Sequence, residues 1–143
     1  MEITVPRATL TTEAVMTLLR GALDHAAQLE KAVYVAVMDS SARLVGFVGS
    51  DVAPRICADV AKQKAYTAVS MRMPTAAFKA MLEKVPDERE IFLGHEGHIA
   101  AVGGLPVVID GMVVGGVGVS GGGQAEDGAC ARAALVALGL EPD

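Results

Sequence analysis

The 143-residue chain has no tryptophan, and its two tyrosines and three phenylalanines amount to 3% of it. Its core must therefore be filled by Ala, Val, Leu and Met, residues small enough to let helices lie close to a sheet. Cysteine is scarce too. Cys57 and Cys130 stand far apart with no C-x-x-C spacing, which excludes a structural zinc motif and the disulfide framework of a small secreted domain, and fits a reduced, cytoplasmic setting. There is no excess of positive charge: 12 Lys and Arg against 17 Asp and Glu give a net charge of −5. No nucleic-acid partner is expected, because phosphate binding draws on clustered cations. No apolar run approaches a membrane span, and "MEITVPRATLTTEAV" lacks the basic start and apolar stretch of a signal peptide, so no membrane partner is expected either. Linkers and internal repeats are also missing, which leaves a single domain over residues 1–143. Hydrophobic residues reach 52%, ample for one core.

What is present reads as alternating helices and hairpins. From Thr11, a good N-cap, apolar residues recur at Val15, Leu18, Leu19, Ala22, Ala26 and Leu29, the period of one helical face. "VYVAVMD" (33–39) and "RLVGFVG" (43–49), separated by Ser40-Ser41, predict a hairpin. After Pro54, Ala58, Ala61, Ala65 and Ala68 form a narrow small-residue stripe on a second helix. Pro74 opens a short helix, "TAAFKAMLEK", that ends before Pro86, with "VPDERE" as a connecting loop. In "LPVVIDGMVVGGVGV", Asp110-Gly111 between two β-branched runs predicts a type I′ hairpin. A last helix begins near Glu126-Asp127 and stops at Gly139. The order predicts an α+β layer fold, an antiparallel sheet of about five strands with helices on its faces.

Inside "GGVGVSGGGQAED" (115–127), Gly116, Gly118 and Gly121 spell G-x-G-x-x-G. A dinucleotide fingerprint requires a return to a parallel strand and an acidic residue about 20 positions on. Here the preceding strand belongs to a hairpin and one helix ends the sequence, so the motif lacks its context. The glycines of the strand, Gly116 and Gly118 among them, permit close approach by another backbone, a neighbouring subunit or a flat ligand.

"GGLPVVIDGMVVGGVGVSGG" (103–122), "AKQKAYTAV" (61–69) and "VAVMDSSARLVGFV" (35–48) resemble, in order and over nearly the whole chain, the family that contains GlcG, the extracellular haem-binding protein HbpS and the C-terminal domain of the PduO cobalamin adenosyltransferase. The resemblance implies a profilin-like three-layer arrangement with a five-stranded antiparallel sheet flanked by helices, and assembly into homo-oligomers, dimers or larger. For some members it implies haem or corrinoid binding; many belong to catabolic gene clusters. The chain departs from the family at "FLGHEGHIAAVGG" (92–104), where relatives carry a Gly- or Asn-rich polar stretch.

That departure contains the candidate site. His95 and His98 flank Glu96 between Gly94 and Gly97; neutral imidazoles ligate metal, haem iron or cobalt, and transfer protons near neutral pH. The spacing is H-E-x-H in a loop, which excludes the one-face zinc pair of H-E-x-x-H; the alternative is two solvated loop histidines. Lys64 and Thr67, at i and i+3, share a helix face and could contact a polar ligand group, and Arg72 is a candidate partner for a carboxylate or propionate. Gly116 and Gly118 complete the candidate ligand-binding set. Cys57 and Cys130, among alanines, read as inert thiols. The leading expectation is a small-ligand-binding protein taking haem or another tetrapyrrole, with His95 or His98 as axial ligand. The alternative is a small catabolic enzyme without an organic cofactor, a lyase, isomerase or hydrolase acting on an aromatic or carboxylate metabolite. His95 or His98 would then be its general acid/base, Glu96 would orient that histidine and Arg72 would anchor substrate. A third reading is a structural accessory subunit with no ligand.

Overall fold

Two faces of very different side-chain size decide how the layers stack. The structure, a computed structural model, describes residues 1–142. It runs α1 (Thr12–Gln28), β1 (Tyr34–Asp39), β2 (Leu44–Gly49), α2 (Ile56–Met71), α3 (Thr75–Lys84), α4 (Pro86–Leu93), β3 (Gly104–Ile109), β4 (Met112–Ser120) and α5 (Gln124–Ala137). Thr11 Oγ1 accepts the Ala14 N–H at 3.1 Å and so caps α1 as its sequence requires. Asp39 closes the first hairpin, its carboxylate accepting the N–H groups of Ser41 and Arg43 at 2.9 and 3.0 Å. Asp110 and Gly111 both take positive φ, 51° and 79°, the conformation of a type I′ turn.

The strands form one antiparallel sheet in the order β2-β1-β4-β3. Alternation along β1 and β4 sends Val35, Val37, Val117 and Val119 to the side covered by α1 and α5, where they pack with Leu18, Ala22, Ala26, Cys130, Ala131 and Ala134. On the opposite side Ala36 and Met38 meet Ala61, Ala65 and Val69 of α2. The valine face carries most of the hydrophobic stabilisation, since burying a Val or Leu contributes about 1.5–3 kcal/mol. The other face gains by proximity.

Glycine makes that proximity available. A Cβ on Gly118 would come within 2.5 Å of the Ala65 nitrogen, one on Gly104 within 2.5 Å of the Lys64 carbonyl oxygen, and one on Gly116 within 3.2 Å of the Ala65 oxygen. The backbone of α2 thus lies directly on these glycines, and it is this backbone that fills the space at Gly116 and Gly118. The rest of the glycine run builds the start of α5. Gly123, at φ 97°, is its N-cap, and the Gly122 N–H, which a bound phosphate would need, already donates to Asp127 Oδ1 at 2.8 Å.

Two expectations are corrected. The sheet has four strands, not five. The segment before β3 is bound to α2 instead of joining the sheet: the Ile99 N–H donates to Thr67 Oγ1 at 2.9 Å, and Gly103, at φ 129°, turns the chain just before Gly104. The stretch expected as a loop, "VPDERE", supplies most of α4, for which Pro86 at the first turn and Asp87 and Glu88 beside the helix N-terminus are favourable.

Lys64 is 3% exposed, and its ammonium donates to the Val119 carbonyl at 2.8 Å and to Asp127 Oδ2 at 3.0 Å. Removing one partner of a buried pair strands the other charge. Asp127→Ala is expected to lower the unfolding free energy by about 3–5 kcal/mol, and Lys64→Met/Asp127→Leu to recover part of it, measured by urea denaturation.

Candidate functional site

The turn after α4 lies across the outer side of α2, held there by several contacts. Beyond the Thr67–Ile99 bond, Gln63 Nε2 donates to the Glu96 carbonyl at 3.4 Å, and Gly97 packs so tightly on the Tyr66 ring that a Cβ would sit 2.6 Å from it. The result is a cluster of rings. Tyr66 and His95 stack with centroids 5.6 Å apart and planes 13° apart, and the His95 and His98 centroids are 4.8 Å apart. Phe78, fully buried, lies 5.8 Å from His98 and edge-on to Phe92 at 6.0 Å. Three of the chain's five Phe and Tyr residues therefore gather around the two histidines.

The hydrogen bonds fix the tautomers. The Phe92 carbonyl, 3.0 Å from His98 Nδ1, can only accept, so in the neutral ring the proton sits on Nδ1. The lone pair on Nε2 then receives the hydroxyl hydrogen of Ser70, 2.8 Å away. An imidazole oriented by a carbonyl through Nδ1–H, with Nε2 free of hydrogen, is the form that ligates a metal or takes a proton. His95 is arranged the other way: its Nδ1 accepts the Gly97 N–H at 3.3 Å, so the neutral ring carries hydrogen on Nε2. His95 is exposed and His98 half-buried.

The candidate residues thus fall into separate places. His95, Glu96 and His98 share one turn, but the atoms that orient the rings are the Phe92 carbonyl, the Gly97 N–H and Ser70 Oγ; the Glu96 carboxylate is exposed and bonded to neither ring. Lys64 and Thr67 do share a face of α2, and it is the buried one, where both hold protein atoms. Arg72 lies just beyond α2 and lines clefts walled by β3 and the β3–β4 turn, with neither histidine among their walls. No group of three or more His, Cys, Asp or Glu able to hold a metal ion occurs among the described residues, so a metal here would rest on the histidine pair. No helix in the described residues is long and apolar enough to cross a membrane.

Ser70, Tyr66 and Phe92 were not singled out from the sequence. Ser70 stands three residues after Thr67, the same helical spacing that linked Thr67 to Lys64; which turn would cross that face was not legible.

Cys130 offers no competing nucleophile. Burial first, then the nearby Asp127 and Glu126 carboxylates, push the Cys130 thiol up to about 11. At pH 8 that leaves a thiolate fraction of about one in a thousand. Ellman's reagent is expected to titrate one thiol in the native protein, half-buried Cys57, and Cys130 only after unfolding; rapid reaction of both in the native state would contradict this burial.

Comparison with known proteins bears on the same fold. The sequence model of the HbpS-like family, described as haem degrading protein HbpS-like, matches residues 10–136. The corrinoid adenosyltransferase PduO of Salmonella typhimurium is 29% identical over 128 residues, 86% of this chain and 37% of that protein, so the chain spans little more than a third of that relative. Among solved structures, a double mutant of Streptomyces reticuli HbpS superposes with a TM-score of 0.88 at 31% identity, over 96% of this chain and 92% of that one. The PduOC–haem complex superposes with a TM-score of 0.82 at 25% identity, over 91% and 95%.

Proposed function

The chain belongs to the HbpS-like family, and from that membership we propose that it is a small-ligand-binding protein whose first candidate ligand is haem or another tetrapyrrole, taken at the His95–His98 turn. The observation that carries this reading is the state of His98, its Nδ1–H anchored on the Phe92 carbonyl and its Nε2 lone pair capped only by the hydroxyl of exposed Ser70. The residues fit such a group: one correctly protonated nitrogen donor, a second imidazole beside it, and the Tyr66–His95 stack as an aromatic surface for a flat macrocycle. Bound haem would supply a redox-active iron. The chain's own part would be to hold the ring of His98 in place, to offer its Nε2 once the Ser70 hydroxyl turns away, and to present Tyr66 and His95 beside the bound group. The haem complex of the PduOC relative supports the ligand class. Homo-oligomerisation belongs to the same reading, supported by exposed Leu44, Val45 and Phe47 on edge strand β2.

A second reading has its own observation. The Ser70 Oγ to His98 Nε2 separation of 2.8 Å is that of a hydroxyl polarised by a general base. In a small catabolic enzyme without an organic cofactor, His98 would accept the proton of Ser70 or of a substrate, oriented by the Phe92 carbonyl in place of a carboxylate.

Haemin titration followed in the Soret region separates them. Wild type is expected to give a saturable shift, and His98→Ala to weaken binding by about 10–100-fold, with a smaller loss for His95→Ala. Absence of a saturable shift in the wild type would remove the tetrapyrrole reading; selective labelling of Ser70 by a fluorophosphonate, lost in His98→Ala, would then favour the enzyme.

A further inference from the structure

A cleft away from the histidine turn lies between the N-terminal segment and the β3–β4 turn. It encloses about 580 Å³ and is lined by Arg7 and Arg72 together with Val69, Val108, Met112 and Val113. Two arginines thus line one cleft together with several apolar side chains, in a chain whose net charge is −5. Neither arginine makes a salt bridge among the described residues: the four ion pairs there are Arg20–Asp24, Arg43–Asp39, Arg55–Asp59 and Lys64–Asp127. No acidic side chain lines the cleft; Glu141 lines the neighbouring one, which shares Arg72.

The backbone at Arg72 adds an independent observation. Arg72 terminates α2 in the left-handed region, φ 56° and ψ 39°, with its N–H turned back to the Ala68 and Val69 carbonyls. That position favours Gly, which has no Cβ to strain there. The chain instead has an arginine there, a side chain suited to carboxylates, with Val69 and Val108 in the same cleft.

We propose that this cleft binds an organic carboxylate with an apolar body, the carboxylate held between Arg7 and Arg72 and the body lying on Val69, Val108, Met112 and Val113. A guanidinium fork donates two parallel hydrogen bonds to a carboxylate, and the exposed valine and methionine surface, with Val108 at 46% and Met112 at 52% exposure, is what the apolar part covers. The size of the cleft suits an aromatic or medium-chain acid rather than a two- or three-carbon one, which would leave those walls wet. The site is independent of the tetrapyrrole reading, because none of the residues of the histidine turn line it.

The test uses 2-naphthoate and its neutral counterpart 2-naphthalenemethanol on the full chain, followed by amide NMR shifts and calorimetry. Naphthoate is expected to bind saturably with shifts concentrated at residues 69–72 and 108–113, and the alcohol to bind about tenfold or more weakly, the loss of a charge-assisted contact. Arg72→Gly is the informative variant: it removes the guanidinium but leaves the residue best suited to the backbone. Its melting temperature should be unchanged or raised while naphthoate affinity falls about tenfold or more, and Arg7→Gln should weaken binding in the same direction. Equal binding of acid and alcohol, shifts centred on the histidine turn, full affinity in Arg72→Gly, or no saturable binding up to the solubility of the acid would each overturn the proposal.

Discussion

The buried ammonium of Lys64 is the point on which the architecture turns. Its side chain leaves α2, passes Gly103, and ends between the Val119 carbonyl and Asp127 on α5, so one residue ties the layer on one side of the sheet to the layer on the other. A charge in that position is tolerable only because its partners are complete: Asp127 also accepts the Gly122 N–H, and no buried side-chain polar atom among the described residues lacks a partner. The requirement spreads outward from there. Gly103 must have no side chain because the ammonium and Asp127 fill its surroundings, and Gly104 and Gly118 must have none because the helix carrying Lys64 presses on them. Gly103, Gly104, Gly116 and Gly118 are thus the imprint of one helix and one ion pair.

Close seating of α2 also sets up the surface chemistry. With its alanine stripe spent on the sheet, the helix presents Tyr66 and Ser70 on its other side, and the histidine turn is laid against them. Thr67 joins the two, buried itself yet accepting the Ile99 N–H just beyond the turn. The same bond occupies the Ile99 N–H, which is then not free to pair along an edge strand.

Local signals were legible wherever they acted within a few residues. Thr11 announces α1, Asp110-Gly111 the second hairpin, and the Ala58–Ala68 stripe a helix lying close to a sheet; all three describe the structure. What sequence reasoning missed involved partners far along the chain. Lys64 meets Asp127, 63 positions away, and His98 meets Ser70, 28 positions away; nothing in either residue's neighbourhood names its partner. The helix in "VPDERE" was missed for a different reason. Pro86 reads equally as the end of one helix and the first turn of the next, and only the acidic residues that follow favour the second. The histidines were conspicuous because they cluster, yet the cluster alone could not distinguish their protonation states.

That distinction matters more than the clustering. Two histidines three residues apart invite a picture of paired ligands, but their hydrogen bonds make them unlike. His95 accepts through Nδ1 and carries hydrogen on Nε2, so ligation through Nε2 would require it to change tautomer and give up the Gly97 N–H. His98 needs only to release one hydroxyl. A neutral hydrogen bond of that kind contributes about 0.5–1.5 kcal/mol net, and Ser70 is exposed, so its hydroxyl can turn to water when the nitrogen is taken. The Phe92 carbonyl, by contrast, fixes the tautomer in both states, and Phe78 and Tyr66 fix the ring. The turn is therefore asymmetric by construction: one imidazole oriented by a backbone carbonyl and packed against Phe78, and beside it an exposed imidazole stacked on tyrosine.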